Sequence, residues 1–501
     1  MALARKKKSD TRPPLRARHP SGDLVRRVPR KLTPRDGAGM TPGARLQTAI
    51  ELLMEIDGAR GAADDIVGGY FRSHRFAGAK DRAAISEHIY GVLRHRAALD
   101  WWLAELGADI TNSTAEYRAR RRLFVALLLV QGWRFDDIKE ACDGDRFRPP
   151  ALDATELRVM RELLDSALDN PKMPDPVRYN YPPWLDATFR SLFGPDLGAE
   201  MAALERGASL DLRANLLKGT QAQALAALKS EGIEAEITPL APHGLRVKGR
   251  IPLSSLACFK EGLIEVQDEG SQIAAALAAV RPGMRVVDFC AGAGGKTLAL
   301  AADMANKGHL IACDISATRL ERSAQRLRRA GASNVERRAL SSERDKWVKR
   351  HAQSFDRVFV DAPCTGTGTW RRNPDAKWRL SPNDLDELTA LQASILESAA
   401  RLVRKNGRVI YATCSLLPAE NTAQVTRFLA RHPDFRLVPI DAVWAETIGG
   451  ACPVDGDTLR LTPARHGTDG FFAAVLERCA DAPADAPADA EAGGAGEDVA
   501  G

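Results

Sequence analysis

The chain has 501 residues, 45% hydrophobic and 27% charged, a composition of two to four soluble globular domains. It lacks any apolar run of about 18 residues and any hydrophobic segment behind its basic N-terminus, which excludes a transmembrane helix and a secretory signal and predicts a cytoplasmic protein. Eight scattered cysteines fit a reducing compartment, and the net charge of +6 is unevenly distributed, with 12 Lys/Arg against three Asp/Glu in residues 1–40 and six acids without a base in residues 480–501, so the two tails carry most of the asymmetry.

In chain order, the Pro- and Arg-rich arm at 1–40 cannot bury a core, so it is expected to be disordered and suited to phosphate contacts. Residues 41–145 read as helical, with Leu46, Ile50, Leu53 and Met54, then Ile85, Ile89, Val92 and Leu93 at helical spacing, and a solidly apolar run from Leu123 to Val130. The segment from Asp81 to Arg94, followed by Leu99-Asp100-Trp101-Trp102, resembles the NusB-like RNA-binding domain that precedes some RNA methyltransferases. His88 and His95 read as ordinary histidines rather than ligands. Residues 146–178 read as a Pro- and Asp-rich linker around one helix, Ala154 to Leu168. Residues 179–266 read as a small α/β unit: strands at Leu212–Lys218, Ile233–Leu240 and Leu263–Gln267, and a helix at Gln221–Gly232.

From 267 to 478 the pattern becomes repeated strand and helix, the sign of a doubly wound sheet. Met284 to Cys290 forms the first strand, Ala291-Gly292-Ala293-Gly294-Gly295-Lys296-Thr297 a glycine-rich turn, and Leu298 to Asn306 a helix. Such a turn lets backbone N–H groups approach a ligand. The P-loop pattern fails because Cys290 stands where glycine is required, and the dinucleotide pattern fails because Thr297 takes the third glycine's place. S-adenosylmethionine is the remaining ligand. It fits Asp314 at the end of the next strand, His309 to Asp314, although that acid equally suits a helix cap. A helix at Ala317–Ala330 and a strand at Asn334–Glu336 follow.

Two cysteines then stand at strand exits. Phe355 to Val360 ends in Asp361-Ala362-Pro363-Cys364, and Gly407 to Thr413 leads to Cys414-Ser415. Ligands of open α/β sheets bind outside the carboxyl ends of the strands, so two thiols at one edge make a candidate active site. Neither has a nearby Cys or His at ligand spacing, which excludes a zinc site, and no metal is expected. Between them, Gly366 to Asp375 is a glycine-rich, basic, aromatic loop suited to single-stranded nucleic acid. A helix from Asp384 to Val403 leads to the second cysteine strand, and an apolar strand, Gly470 to Leu476, is expected to close the sheet. The tail at 479–501 reads as disordered.

Gln267-Asp268-Glu269-Gly270-Ser271-Gln272, the glycine turn, Asp314, Asp361-Ala362-Pro363-Cys364, Arg372-Asn373-Pro374-Asp375, Thr413-Cys414-Ser415 and Asp469-Gly470-Phe471-Phe472 together resemble the RsmB/NOP/NSUN family of RNA cytosine-5 methyltransferases. With the helical domain, the resemblance points to the bacterial branch acting on small-subunit ribosomal RNA. It implies a Rossmann-like class I methyltransferase domain, an RNA-binding role for the small α/β unit, a monomer, and S-adenosylmethionine as cofactor. It further implies cofactor contacts from Cys290, Ala291, Gly292, Ala293, Gly294, Gly295, Lys296, Asp314 and Asp361, and RNA contacts from Arg213, Asn215, Lys218, Arg371 and Arg372. Carbon 5 of cytosine is a poor nucleophile, so a thiolate must first add to carbon 6. The family gives that attack to the Thr-Cys-Ser cysteine, here Cys414, and release to Cys364, with Asp361 sharing a proton at ring nitrogen 3.

Sequence chemistry leaves the inverse roles open, because DNA cytosine-5 methyltransferases attack with a Pro-Cys cysteine. The chain departs from the family at Arg338-Ala339-Leu340-Ser341, where an acid for the adenosyl group is absent, and at Gly292-Ala293, where many relatives have Ala-Pro. A transfer RNA substrate and a catalytically idle RNA-binding assembly factor are the alternatives.

Overall fold

The computed structural model describes residues 39–479 apart from Arg60 and Arg250, so the basic arm and acidic tail lie outside the described residues except at their inner ends. Six helices, Pro42–Gly58, Ala63–Ser73, Ala79–Arg94, Arg96–Glu105, Ala115–Leu129 and Phe135–Ala141, form an N-terminal bundle. Thr41 and Thr114 cap two of them by accepting from Ala44 N and Tyr117 N. Leu46, Ile50, Leu53, Ile85, Ile89, Val92 and Leu123 meet in its core, as their spacing predicts. His88 is buried and bonded through Nδ1 to Gln131.

The expected linker differs. Its helix runs Ala154–Glu162, opened by a reciprocal Asp153–Glu156 cap, and Val159, Met160, Leu163 and Met173 enter the same core as Leu46. Apolar residues on one face of that helix make 146–178 a wall of the bundle.

The small unit has four strands, β1 (Leu210–Ala214), β2 (Ala235–Ile237), β3 (Gly244–Val247) and β4 (Ile264–Val266), in the antiparallel order β2-β3-β1-β4. β1 stops at Ala214 rather than reaching Lys218, because Asn215 turns the chain. β3 was not expected from the sequence.

The large sheet comprises β5 (Arg285–Asp288), β6 (His309–Asp314), β7 (Val335–Ala339), β8 (Phe355–Asp361), β9 (Val403–Thr413), β10 (Phe435–Val438), β11 (Leu459–Leu461) and β12 (Phe471–Arg478). Its order is β10-β12-β9-β8-β5-β6-β7, with β11 beside β12. β7, β6, β5, β8 and β9 are parallel, and the order reverses between β5 and β8, the position where open sheets bind ligands. β12 runs antiparallel between β9 and β10 rather than at the edge, as its buried run Phe472–Leu476 requires.

The bundle is tied to the large sheet through the loop between the two cysteines. Ala62, at the start of the helix Ala63–Ser73, supplies no side-chain cap, and Asp375 Oδ2 accepts from Ala63 N at 3.1 Å in its place. Arg94 Nη2 donates to Arg371 O at 2.9 Å, and the buried Lys377 Nζ to Asn180 O at 3.0 Å. An Asp375→Ala change is expected to cost about 1 kcal/mol, the usual worth of such a cap. Hydrogen exchange should show faster amide exchange across Ala63–Ser73 while β8 and β9 stay protected; uniform loosening, or none, would contradict an external cap.

Candidate active site

β5 and β6 build the glycine turn. Asp314 Oδ2 accepts from Gly292 N at 2.8 Å and Oδ1 from Ser316 N at 2.7 Å, so the acid at the end of β6 braces the turn. The cap of the next helix, Ala317–Ala330, is Ser316. Ala291 N donates to Cys313 O, and Arg326 Nη1 to Ala293 O. Gly294 has φ +82°, and a Cβ there would meet Ser323 Cβ at 3.0 Å, so glycine is required before the helix Gly295–Asp303. Burial pushes the Cys290 thiol well above its ordinary range.

Beneath the turn, Asp288 is fully buried. Its Oδ2 accepts from Thr297 Oγ1 at 2.6 Å, while Oδ1 has no partner. Burial raises its pKa to about 7. A raised carboxyl holds its proton longer folded than unfolded, so its cost to stability is greatest above pH 7 and fades on acidification toward the ordinary value. Asp288→Asn is therefore expected to raise the unfolding free energy from urea titration at pH 8, by no more than about 4 kcal/mol for a shift of this size, and to leave it nearly unchanged at pH 4. An equal change at both pH values would exclude a charge effect.

Lys296, buried on the helix after the turn, reaches Asp361 Oδ2 at 2.6 Å and lies 5.3 Å from the Phe471 ring centroid. Burial lowers its pKa, but the charge and hydrogen bond of Asp361, with the Cys414 and Asp288 charges, together outweigh burial and leave it raised. β8 and β9 deliver the cysteines together, with Cys364 Sγ 3.4 Å from Cys414 Sγ. The hydrogen bond to Cys414, then burial and the nearby Cys414 and Glu420 charges, push the Cys364 thiol well up. Glu420, fully buried, accepts at Oε1 from Thr365 N at 2.8 Å and Gln392 Nε2 at 2.9 Å, and at Oε2 from Thr365 Oγ1 and Ser415 Oγ.

The loop between the cysteines is not free for RNA. Trp370 is buried against Phe189, with centroids 5.8 Å apart, and Thr367, Gly368 and Arg371 are buried too. Gly368 N donates to Cys414 O and Gly470 N to Gly368 O, and a Cβ on Gly368 would lie 2.2 Å from Gly470 O. Arg371 and Arg372 both pair with Asp268 and Asp469, which binds the loop to the starts of the catalytic segment and of β12.

This corrects most of the expected RNA contacts. Arg371 is buried, and Arg372 is two-thirds covered and spent on the same acids. Arg213 is buried with Nε on Gln267 Oε1 at 2.7 Å, and Asn215 is buried with Nδ2 on the carbonyls of Gly262 and Ala330. Each offers its polar atoms to the protein's own interior. Only Lys218 is exposed.

Sequence reasoning missed Asp345. It is four residues beyond Ser341 and accepts from Ser341 N and Oγ at 2.9 and 2.7 Å, so an acid does stand beyond the end of β7. Backbone N–H bonds from Trp347 and Ser341 hold its pKa down to about 2. Glu420 was missed because its partners are as many as 55 residues away. Among the described residues no group of three or more potential metal ligands occurs, and no helix is long and apolar enough to cross a membrane.

Residues 275–477 match the family described as 16S rRNA methyltransferase RsmB/F, and residues 181–254 its ferredoxin-like domain. The "Probable ribosomal RNA small subunit methyltransferase B" of Synechocystis sp. is 30% identical over 450 residues, 86% of this chain and 99% of that protein. The chain belongs to the RsmB/F family of methyltransferases. The "Ribosomal RNA small subunit methyltransferase B" of Xanthomonas campestris pv. campestris is 31% identical over 412 residues, covering 79% of this chain and 89% of that protein. A solved structure, that of PH0851, aligns with TM-score 0.72 and 28% identity over 88% of this chain and all of its own. The fold is thus a Rossmann-like methyltransferase domain with a ferredoxin-like subdomain, β1–β4, and a helical N-terminal region.

Proposed function

We propose that this RsmB/F protein methylates carbon 5 of a cytosine in small-subunit ribosomal RNA with S-adenosylmethionine, through a covalent adduct. The carrying observation is the pair of thiols 3.4 Å apart, beside an aspartate and a buried lysine. The relatives' names carry the substrate class, and the glycine turn carries the cofactor: Asp288 Oδ1 is buried without a partner beneath it, and Gly292 and Gly294 hold it open, which fits a ligand bearing hydrogen-bond donors. Gly292 to Lys296, Asp314 and Asp345 would hold the cofactor. When bound, it supplies a methyl group on an electrophilic sulfonium.

Cys414 is the nucleophile for carbon 6. Lys296 feels the Cys414 charge, so its ammonium offsets negative charge as it leaves sulfur for the ring. Cys364, its thiol pushed well up, is the poorer attacker and acts in release: after the adduct has formed it gives its own proton to solvent, and its thiolate then takes the carbon 5 proton as the carbon 6–sulfur bond breaks and Cys414 leaves as thiolate. Asp361 shares a proton with ring nitrogen 3. The target cytosine must leave any stack to reach these groups. The helical region serves as a NusB-like RNA-binding domain, and Lys218 is the exposed contact on the ferredoxin-like unit.

Incubation of the full chain with S-adenosylmethionine and unmodified 16S RNA, followed by nuclease digestion and mass spectrometry of nucleosides, should yield 5-methylcytidine at one site. Methylation of another atom, or product only with transfer RNA, would overturn the corresponding part.

A further inference from the structure

We propose that Glu420 is the positioning residue of the two-cysteine site, its buried carboxylate tying the loop after Cys364 to the loop after Cys414 and thereby fixing the distance between the thiols. The role in turnover rests on the covalent reading above; the clamp itself does not.

Glu420 is fully buried, and its side-chain hydrogen-bond partners among the described residues are all uncharged. Four neutral donors satisfy it instead. Thr365 N and Oγ1 come from the residue after Cys364, and Ser415 Oγ from the residue after Cys414. Gln392 Nε2 donates both to Glu420 and to Pro363 O, so the peptide is gripped on both sides of Cys364. Ser415 Oγ also lies 3.2 Å from Thr365 Oγ1 and 3.1 Å from Thr367 Oγ1. The next residue, Asn421, donates from Nδ2 to Ser415 O at 2.8 Å and accepts from Thr413 Oγ1 at 2.6 Å, which grips both sides of Cys414.

A buried carboxylate without a counter-ion is costly, and a core of this kind could be filled by apolar groups. Its chemistry suits one task here. Only a carboxylate offers acceptors at both oxygens, so it alone can take donors from two loops at once without presenting a donor to either. In Glu420→Gln the oxygen that takes the Thr365 and Ser415 hydroxyls becomes an NH2 group, so both hydroxyls must reverse from donor to acceptor, their bonds to Thr367 and to each other must rearrange, and the charge-assisted bonds that join the two loops become weaker neutral ones. The negative charge also stands near Cys364 and adds to the forces that keep that thiol protonated.

The test uses the full chain and two readouts. Diamide removes two hydrogens from the thiols and joins them as a disulfide, so its rate at Cys364 and Cys414, read by mass spectrometry of peptides, reports their spacing without RNA or cofactor. Glu420→Gln is expected to slow this cross-link at least fivefold, and to lower kcat for methylation at least 30-fold with the KM for S-adenosylmethionine within twofold. Glu420→Ala should do at least as much, and Glu420→Gln serves should Glu420→Ala not fold. A folded Glu420→Gln that cross-links at the wild-type rate overturns the proposal, as does a kcat loss matched by an equal rise in KM. If wild type transfers no methyl group while the cross-link still slows in the variant, the clamp stands and the covalent reading fails.

Discussion

Cys364→Ala is expected to accumulate a protein–RNA adduct that survives a denaturing gel in the presence of S-adenosylmethionine and unmodified small-subunit RNA, whereas Cys414→Ala forms none. The reasoning follows the asymmetry of two thiols only 3.4 Å apart. Cys414 has the Lys296 ammonium in its field, while Cys364 is held protonated by its bond to Cys414, by burial and by Glu420. A nucleophile must enter the reaction as thiolate, whereas the group that completes elimination can release its own proton to solvent after the adduct has formed and then accept the one from carbon 5. Without Cys414 no bond to carbon 6 forms, and turnover should fall roughly 10^4-fold or more, as when a nucleophile is removed. Without Cys364 the bond forms but the carbon 5 proton stays, so turnover falls by roughly 10^2- to 10^4-fold, the range of general-base contributions, and the adduct persists. The opposite gel pattern would exchange the two roles. Adducts from neither, alongside methyl transfer by the wild type, would remove the covalent step.

The parts of this site that were legible in the sequence are those that lie at strand ends. Asp314, Asp361, Cys364 and Cys414 each follow an apolar run, and the rule that open sheets bind ligands beyond their carboxyl ends is enough to gather them. The helix Ala317–Ala330 was read to the residue because its serine cap, its apolar face and a following glycine all agree. What sequence could not show was which charges point inward. Arg213, Arg371 and Arg372 look like phosphate ligands by residue type, and it is Gln267, Asp268 and Asp469, separated from them by between 54 and 104 residues, that claim them. Lys218 alone among the five is exposed, a distinction that residue type does not draw. Glu420 lies in a stretch, Pro418 to Asn421, that reads as a plain turn; only the three-dimensional return of Thr365 and Gln392 gives it a function. β12 was recognised as a strand of this sheet, but its place between β9 and β10 was not, since period and composition reveal burial on both faces and not which neighbours supply it.

Asp361→Asn is expected to reverse the pH dependence of stability at alkaline pH as well as to stop turnover. In the wild type the Asp361 carboxylate, helped by the Cys414 and Asp288 charges, outweighs burial and raises the Lys296 pKa above its ordinary 10.5. That pair therefore contributes stability in full below about pH 10.5 and loses it only as pH rises through the raised value. With asparagine in place, burial, the largest single influence, is opposed only by the Cys414 and Asp288 charges, and the folded-state pKa is expected to fall below the unfolded one. The unfolded chain then binds more protons, so stability increases as pH rises from 7 toward 10. Urea midpoints at pH 7 and 9.5 should be flat for the wild type over this pair's window and should rise for Asp361→Asn, which at pH 7 loses about 3–5 kcal/mol, the cost of stranding a buried charge. A flat profile in the variant would mean that water reaches the ammonium. Lys296→Met leaves the aspartate alone, and because that carboxylate is about one-third exposed the loss should be smaller, about 1–3 kcal/mol after solvent screening. Both single variants should lower kcat at least 100-fold, since each removes a charge placed where the ring's charge develops. The double variant Lys296→Met/Asp361→Asn strands neither charge, so much of the stability should return. Turnover should not return with it, and that separation would mark the pair as one held for chemistry at a cost to the fold.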